Sequence, residues 1–521
     1  TAMMRLFSND TMGVGSDYKG WYNYLEAPLF YCGLINLLLV PQLFGFLSKR
    51  KKIVFLSFIA LFILPVIFPY LRYMFWGFTG DYYRLFSLFL PFTLLLYSVS
   101  VLSRTEKKGR INLVTLSVTV ALLLVILFYN YFSGAEVIND TRRNAVVLFL
   151  LVYAVLLYFF NVKRVVNVAK TITLAFIIVE LISFSSTTVN DRPVITGEEM
   201  KQKTGYNDYT VDAVNYLKSV DKGFYRIVKE YSSGPAIHSS INDAQVQNFY
   251  STSSYTSFNQ KNYIKFLGEA DIIDETDETQ TRWASGVTQT PILHSFASVK
   301  YTLSKRPQPF IADYNYDLLT TVGDVKILKN RSPLPLGFGY SRFIIKNDYN
   351  LLSYNQKKLI LNRAVVLDDS VYGIPPGLTK FQLNDTSGNY TWAEFNSDID
   401  LLKEDTLQIE MFSQNYIKGK ISLEQPKLLF FSIPFDGGWK IKIDKRDVEP
   451  IMVNMGFTGL SLEKGDHQVE LTFIPRFYNI GTLGSVAGLI LFFLIIGSRY
   501  LFAKRREAKE KPERNGQADI A

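Results

Sequence analysis

The sequence predicts a polytopic α-helical membrane protein of about seven transmembrane helices that carries a large extracytoplasmic α+β domain with a β-sandwich-like part. Three observations predict it. The 521-residue chain is 48% hydrophobic and 15% aromatic, and its apolar residues gather in runs near both ends. Those runs approach the roughly 20 residues that cross a bilayer. Between residues 190 and 478 the composition is that of an ordinary folded domain, with short alternating segments and turn residues.

The candidate spans are 27–47, 53–70, 85–103, 111–132, 145–160, 165–184 and 479–502. The fifth is short. Pro65 and Pro91 fall inside spans and mark possible kinks, whose freed carbonyls neighbouring helices can satisfy. Orientation follows from the short loops. Lys49, Arg50, Lys51 and Lys52 form one basic cluster, and Arg104, Lys107, Lys108 and Arg110 a second. Lys163 and Arg164 form a third, and Arg499, Lys504, Arg505 and Arg506 a fourth. If every span crosses, all four clusters fall on one side, which the positive-inside rule makes the cytoplasm. Arg142 and Arg143 argue against this weakly, because they would lie outside.

This orientation places 1–26, 71–84 and 190–478 outside. An outside N-terminus without a signal-like segment at residues 1–10 predicts further helices upstream, so the chain reads as the C-terminal part of a longer protein. The predicted organisation is a transmembrane region of six helices at 1–189 and a mixed α/β region at 190–345. A sandwich-like domain at 346–478, a final helix at 479–503 and a disordered cytoplasmic tail at 504–521 complete it.

Within the outer stretch, 208–220 predicts a short helix and 224–229 a strand, while 239–258, rich in Ser, Asn and Tyr, reads as a loop or binding surface. After an apolar strand at 427–435 and a turn at Asp436-Gly437-Gly438, Trp439, Ile441 and Ile443 alternate with Lys440, Lys442 and Asp444. A second turn at Lys464-Gly465-Asp466 leads to Val469, Leu471 and Phe473 on one face. This pattern predicts an antiparallel sandwich with Trp439 buried.

Several functions are disfavoured. The formal charge of +9 sits beside apolar runs rather than in an aromatic-interleaved basic stripe, so no nucleic-acid partner is expected. Cys32 is the single cysteine, so no intrachain disulfide forms. His238, His294 and His467 are far apart and no zinc site is expected. Gly13-Val14-Gly15 lacks the rest of a phosphate loop, and no GxSxG motif occurs. No cofactor is evident, although the residues leave a divalent metal open.

The loop 71–84 holds the strongest candidates: Arg72, Asp81 and Arg84 beside Trp76, Tyr82 and Tyr83. Arginine offers a forked, permanently charged donor that suits phosphate oxygens, and flat aromatic faces suit sugar rings. The same residues also make an aromatic belt with snorkelling arginines, which is the simpler account of the loop alone. Before the first span, Asp10, Asp17, Trp21 and Glu26 offer an outer carboxylate to such a site, or form a solvated loop with a Trp anchor. Glu180 and Lys170 lie near opposite ends of span six, where both can snorkel.

Near the C-terminus, the chain carries Gly438-Trp439, Asp444, Asn454, Gly456-Phe457, Lys464-Gly465 and His467 in order. Earlier come FYRI at 224–227, SSYTSF at 253–258, SVKYTL at 298–303 and the WGF…R pattern of the 71–84 loop. With these motifs the chain resembles the bacterial YfhO membrane proteins over essentially its whole length. That family is similar to the C-type glycosyltransferases, polytopic enzymes that take a sugar from a polyprenyl-phosphate carrier. In Gram-positive relatives it is implicated in glycosylating lipoteichoic acid outside the cell. The resemblance implies an enzyme in the bilayer whose partners are a polyprenyl-phosphate-linked sugar and a cell-surface polymer acceptor.

The superfamily's main catalytic acid lies after the first helix, in a part absent here, so no catalytic residue is assigned. Arg84 matches the family's loop arginine and inherits a phosphate-binding role. Arg72, Asp81 and Trp76 stand beside it as candidate substrate contacts. The alternatives are a lipid-linked sugar or polymer transporter and a non-enzymatic envelope scaffold with a polymer-binding outer domain.

Overall fold

The computed structural model describes residues 2–14, 18–20, 26–108, 110–129, 138–190, 196–233, 241–369, 375–383 and 390–510. The chain forms two compact units, Thr1–Val194 and Ile195–Ala521.

The first unit is helical. Among the described residues, three of its helices are long and apolar enough to span a bilayer: Arg84–Lys107, Asp140–Phe159 and Val166–Asn190. Their outward residues, such as Leu88, Leu148 and Ile182, are exposed and apolar, as lipid contact requires. The fifth predicted span is longer than its apolar run. Its helix Asp140–Phe159 begins at Asn139, whose side chain accepts from the Arg142 amide, and the polar first turn adds the missing length.

Two predicted spans are shorter. The first becomes an extended segment followed by an apolar helix, Leu34–Phe46, because Gly33 adopts φ +99° at its start and Pro41 pulls its second half into 3-10 geometry. The fourth becomes Leu113–Phe128, 16 residues long. The second is broken into Lys49–Ile67 and Pro69–Phe75, which meet at 105°. Phe68, forced into an extended conformation by the following proline, makes the break. The unit's main core joins Leu38, Leu127, Leu150 and Leu157 with Met4, Phe7 and Met12, so the segment before the first helix is packed rather than solvated.

The second unit contains the sheets and the fourth long apolar helix, Tyr478–Arg505. The predicted helix appears as Tyr209–Val220, with Asp208 capping the Thr210 amide, and the predicted strand as Arg226–Lys229. That strand opens a four-stranded sheet with Val299–Ser304, Val325–Asn330 and Tyr316–Val322.

A five-stranded antiparallel sheet contains Gln408–Phe412, Tyr416–Leu423, Gly465–Phe473, Trp439–Ile443 and Arg446–Val448. Its inner residues Ile417, Ile441, Val469 and Leu471 pack against Leu429, Phe431 and Leu460 of a seven-stranded sheet, which makes the sandwich. The alternating period puts Leu428 and Phe430 on the other face, where they join Phe296 and, from the covering helices, Phe266, Phe395 and Ile399.

Three expectations need correction. Trp439 is half-buried, lying against Phe473 at the start of its strand, whereas Ile441 is fully buried. The boundary at 345/346 is not a domain boundary. The seven-stranded sheet takes Gly337–Tyr340 and Arg342–Ile345 from one side of it and Val365–Leu367, Thr379–Lys380, Lys427–Pro434, Ile451–Val453 and Phe457–Leu462 from the other. Backbone pairing fixes the strands across the predicted divide. Residues 504–510 are helical rather than disordered, because the helix Tyr478–Glu510 continues through Ala, Lys, Arg and Glu, all strong helix formers. The remainder of the predicted tail, with Asp17, Trp21 and His238, lies outside the described residues.

The motif residues Asn454 and Gly456 serve this fold. Asn454 exchanges hydrogen bonds with Val366, accepting from its amide at 2.7 Å and donating its own amide to the Val366 carbonyl at 2.9 Å. A side chain at Gly456 would collide with the backbone carbonyl of Asn262.

Candidate functional site

The loop 71–84 is built by the broken helix. Its second piece ends at Phe75, and Gly77 and Phe78 both turn through positive φ, returning the chain toward the next helix. Arg72 is fully buried beneath this loop. Its guanidinium donates to both carboxylate oxygens of Asp81, with 2.8 Å to Oδ2. It also donates to the carbonyls of Pro65 at 2.7 Å and Val66 at 3.2 Å, which the helix break leaves without helical partners. The Tyr83 ring lies 3.9 Å from its central carbon. Arg72 therefore does not snorkel. It ties the bend together, and Asp81 neutralises it.

Arg84 stands differently. It opens the helix Arg84–Lys108, and its side chain is 60% exposed. It makes a bidentate pair with Glu26, the Nε donating at 2.8 and 2.7 Å and Nη2 also donating. Glu26 is 58 residues away in sequence and buried, with a side-chain exposure of 9%. The segment that carries it is held along the same helix, where the Leu29 amide donates to Ser87 Oγ at 3.0 Å. Tyr82 flanks Arg84, with the guanidinium 5.1 Å from its ring. Trp76 meets Tyr82 edge-on and donates its indole N–H to the Tyr82 carbonyl at 2.9 Å.

The four candidates thus separate into two roles. Arg72 and Asp81 form a buried brace, while Arg84, with Trp76 and Tyr82 beside it, forms an accessible face backed by Glu26. Such a face offers an anion a fork of donors and a nearby carboxylate. Among the described residues, no group of three or more His, Cys, Asp or Glu side chains is disposed to hold a metal ion.

A second polar centre escaped the sequence. Glu180 is fully buried and accepts from Tyr31 Oη at 2.7 Å, the Leu34 amide at 2.8 Å and Tyr153 Oη at 2.6 Å. It does not snorkel. It supplies from another helix the N-terminal cap that Gly33 cannot give to Leu34–Leu39. Its position in an apolar helix was the available signal. Lys170 does lie exposed, paired with Glu106 at 3.2 Å.

The family described as "Bacterial membrane protein YfhO" matches residues 1–392 and 377–485. The chain belongs to the YfhO family. The relative "Uncharacterized protein YfhO" of Bacillus subtilis (strain 168) is 26% identical over 80 residues, which cover 15% of this chain and 9% of that protein. No solved structure matches. Membership fits the several apolar helices and the sheet-rich unit, and makes this a membrane protein of the YfhO kind.

Proposed function

We propose that the chain is a glycosyltransferase-like membrane protein that takes a sugar from a polyprenyl-phosphate carrier and transfers it to a cell-surface polymer, such as lipoteichoic acid, outside the cell. In this reading seven crossings place the sheet-rich unit outside and the tail in the cytoplasm. The observation that carries it is the Arg84–Glu26 pair, an exposed guanidinium held by a buried carboxylate at the start of an apolar helix.

A phosphate oxygen can replace a Glu26 oxygen on the Arg84 fork. Glu26, so released, becomes a carboxylate beside the leaving group. Transfer then follows ordinary acid–base lines. The acceptor hydroxyl attacks the anomeric carbon while the bond from that carbon to the phosphate oxygen breaks. The electron pair leaves on the phosphate, which Arg84 holds, and the hydroxyl proton passes to a carboxylate on the acceptor's face of the sugar. Arg72 and Asp81 keep the loop in place.

Arg84→Lys and Glu26→Gln in the full-length protein test this reading. Each should cut sugar transfer to the surface polymer by about 10²-fold or more, with expression and insertion unchanged. Wild-type transfer by both Arg84→Lys and Arg84→Ala removes the site from the reaction.

A further inference from the structure

The second unit contains a cavity of about 440 Å³ beside the short ribbon that pairs Ser254–Tyr255 with Trp283–Ala284. This volume lies within the ~300–1,000 Å³ of small-molecule sites. Trp283 and Tyr231 supply aromatic walls, and Ser251 and Ser253 supply hydroxyls. Trp283 is stacked on Tyr255, with ring centroids 4.8 Å apart and planes 22° from parallel.

Lys229 and Asp243, also lining the cavity, are nearly inaccessible, with side-chain exposures of 7% and 4%. The Lys229 ammonium donates to Ser233 Oγ at 2.6 Å, to Gln247 Oε1 at 2.9 Å and to Asp243 Oδ2, which uses its three protons. Asp243 Oδ2 also accepts from the Ser233 amide at 3.1 Å. Asp243 Oδ1 is buried and has no hydrogen-bond partner among the described residues. A buried carboxylate oxygen without a donor is costly, and a ligand that brings a donor removes the cost.

The charges narrow the ligand class. An anion meets the bare Asp243 oxygen and finds no spare proton on Lys229. A cation meets the Lys229 ammonium, which already neutralises that carboxylate. A neutral molecule rich in hydroxyl donors, with an apolar face for Trp283, meets neither penalty. We propose that this cavity binds one neutral glycosyl unit, its ring against Trp283 and its hydroxyls meeting Ser251, Ser253 and the Asp243 side chain. The site goes beyond the transfer chemistry proposed for Arg84. It is read by binding alone, so either reading can fail without the other.

The test uses the full chain in nanodiscs and saturation-transfer NMR. The probes are the methyl glycosides of glucose, galactose and N-acetylglucosamine, with inorganic phosphate and tetramethylammonium as charged comparisons. At least one glycoside should bind saturably. Trp283→Ala, which removes the wall, and Ser253→Phe, which fills the cavity while keeping the Lys229–Asp243 pair, should each weaken it about tenfold or more. Both variants are read at an unchanged melting temperature, and Ser253→Phe stands alone if Trp283→Ala misfolds. Absence of glycoside binding, wild-type binding by the correctly folded variants, or occupation of the cavity by phosphate or tetramethylammonium instead overturns the proposal.

Discussion

Arg142 Nη1 donates to the Asp10 carbonyl at 2.9 Å and stands 3.6 Å from the Asp10 carboxylate, across 132 residues of sequence. Arg143 is likewise paired, with Asp140 at 2.6 Å. These are the two arginines that argued against the orientation drawn from the basic loops. Both are thus ion-paired within the helical unit.

With the orientation proposed above, a cysteine at exposed Ser219, in a Cys32→Ser background, should react with an impermeant thiol reagent on intact cells. Reaction only after lysis would reverse the orientation. Asp10→Asn should lower the yield of inserted protein by uncovering Arg142, and adding Arg142→Gln should restore it. No rescue in the double variant would deny the pair its role.

Glu180 satisfies two hydroxyls and one amide at once. Glu180→Ala strands all three in an apolar bundle and should cost at least about 2 kcal/mol. Glu180→Gln keeps the shape and should cost less. Thermal unfolding of the purified chain in nanodiscs measures both. Equal melting temperatures for wild type and Glu180→Ala would mean that the cap is dispensable.

In the sandwich, Ile441 and Trp439 differ in burial. Ile441→Ala should cost about 2–5 kcal/mol, as for a fully buried aliphatic residue. Trp439→Ala should cost less than the about 3–5 kcal/mol of a fully buried aromatic, because part of the ring is already in water. Chemical denaturation followed by far-ultraviolet circular dichroism resolves the pair, and an Ile441→Ala variant as stable as wild type would misplace that core.

His294 sets a pH dependence. Its Nδ1 meets Tyr316 Oη at 2.7 Å and its Nε2 the Val287 carbonyl at 3.0 Å, and burial pushes its pKa down from 6.5 to about 4. Between those values the unfolded chain takes up a proton that the native one refuses. Stability is therefore full above pH 6.5 and falls as pH drops toward 4. The loss from this group is of order 3 kcal/mol. Melting curves of His294→Gln should be flatter over this window, at a lower plateau. An equally steep decline would assign the acid sensitivity elsewhere.

The helices were legible because a bilayer imposes a length and an apolar composition that few other structures share. The shortening of the first was not, because Gly33 and Pro41 act through local geometry inside an unbroken apolar run. Pro65 announced a kink, but the Arg72 brace that stabilises the bend depends on which carbonyls the bend exposes. Arg84 was recognisable as a loop arginine. Its partner Glu26 was noticed separately, and no spacing rule joins residues so far apart. Glu180 was misread because position near a helix end predicts snorkelling, whereas its fate was decided by Tyr31 and Tyr153 on other elements. The alternation of the late strands was read correctly. The parallel pairing of Arg342–Ile345 with Val365–Leu367 was not legible, because a helical connection separates the two strands in sequence.

The seven-stranded sheet also bears on how the chain is made. Tyr340 pairs with Leu428, and Phe430 with both Phe338 and Gly459. A nascent chain therefore releases Gly337–Tyr340 long before the strand that completes it exists. Such high contact order makes folding slow and leaves a strand edge open to other chains meanwhile. A chain stopped near residue 346 would keep that edge permanently. Fragments ending there should aggregate rather than form a smaller working domain, because the partner strand is complete only at residue 434.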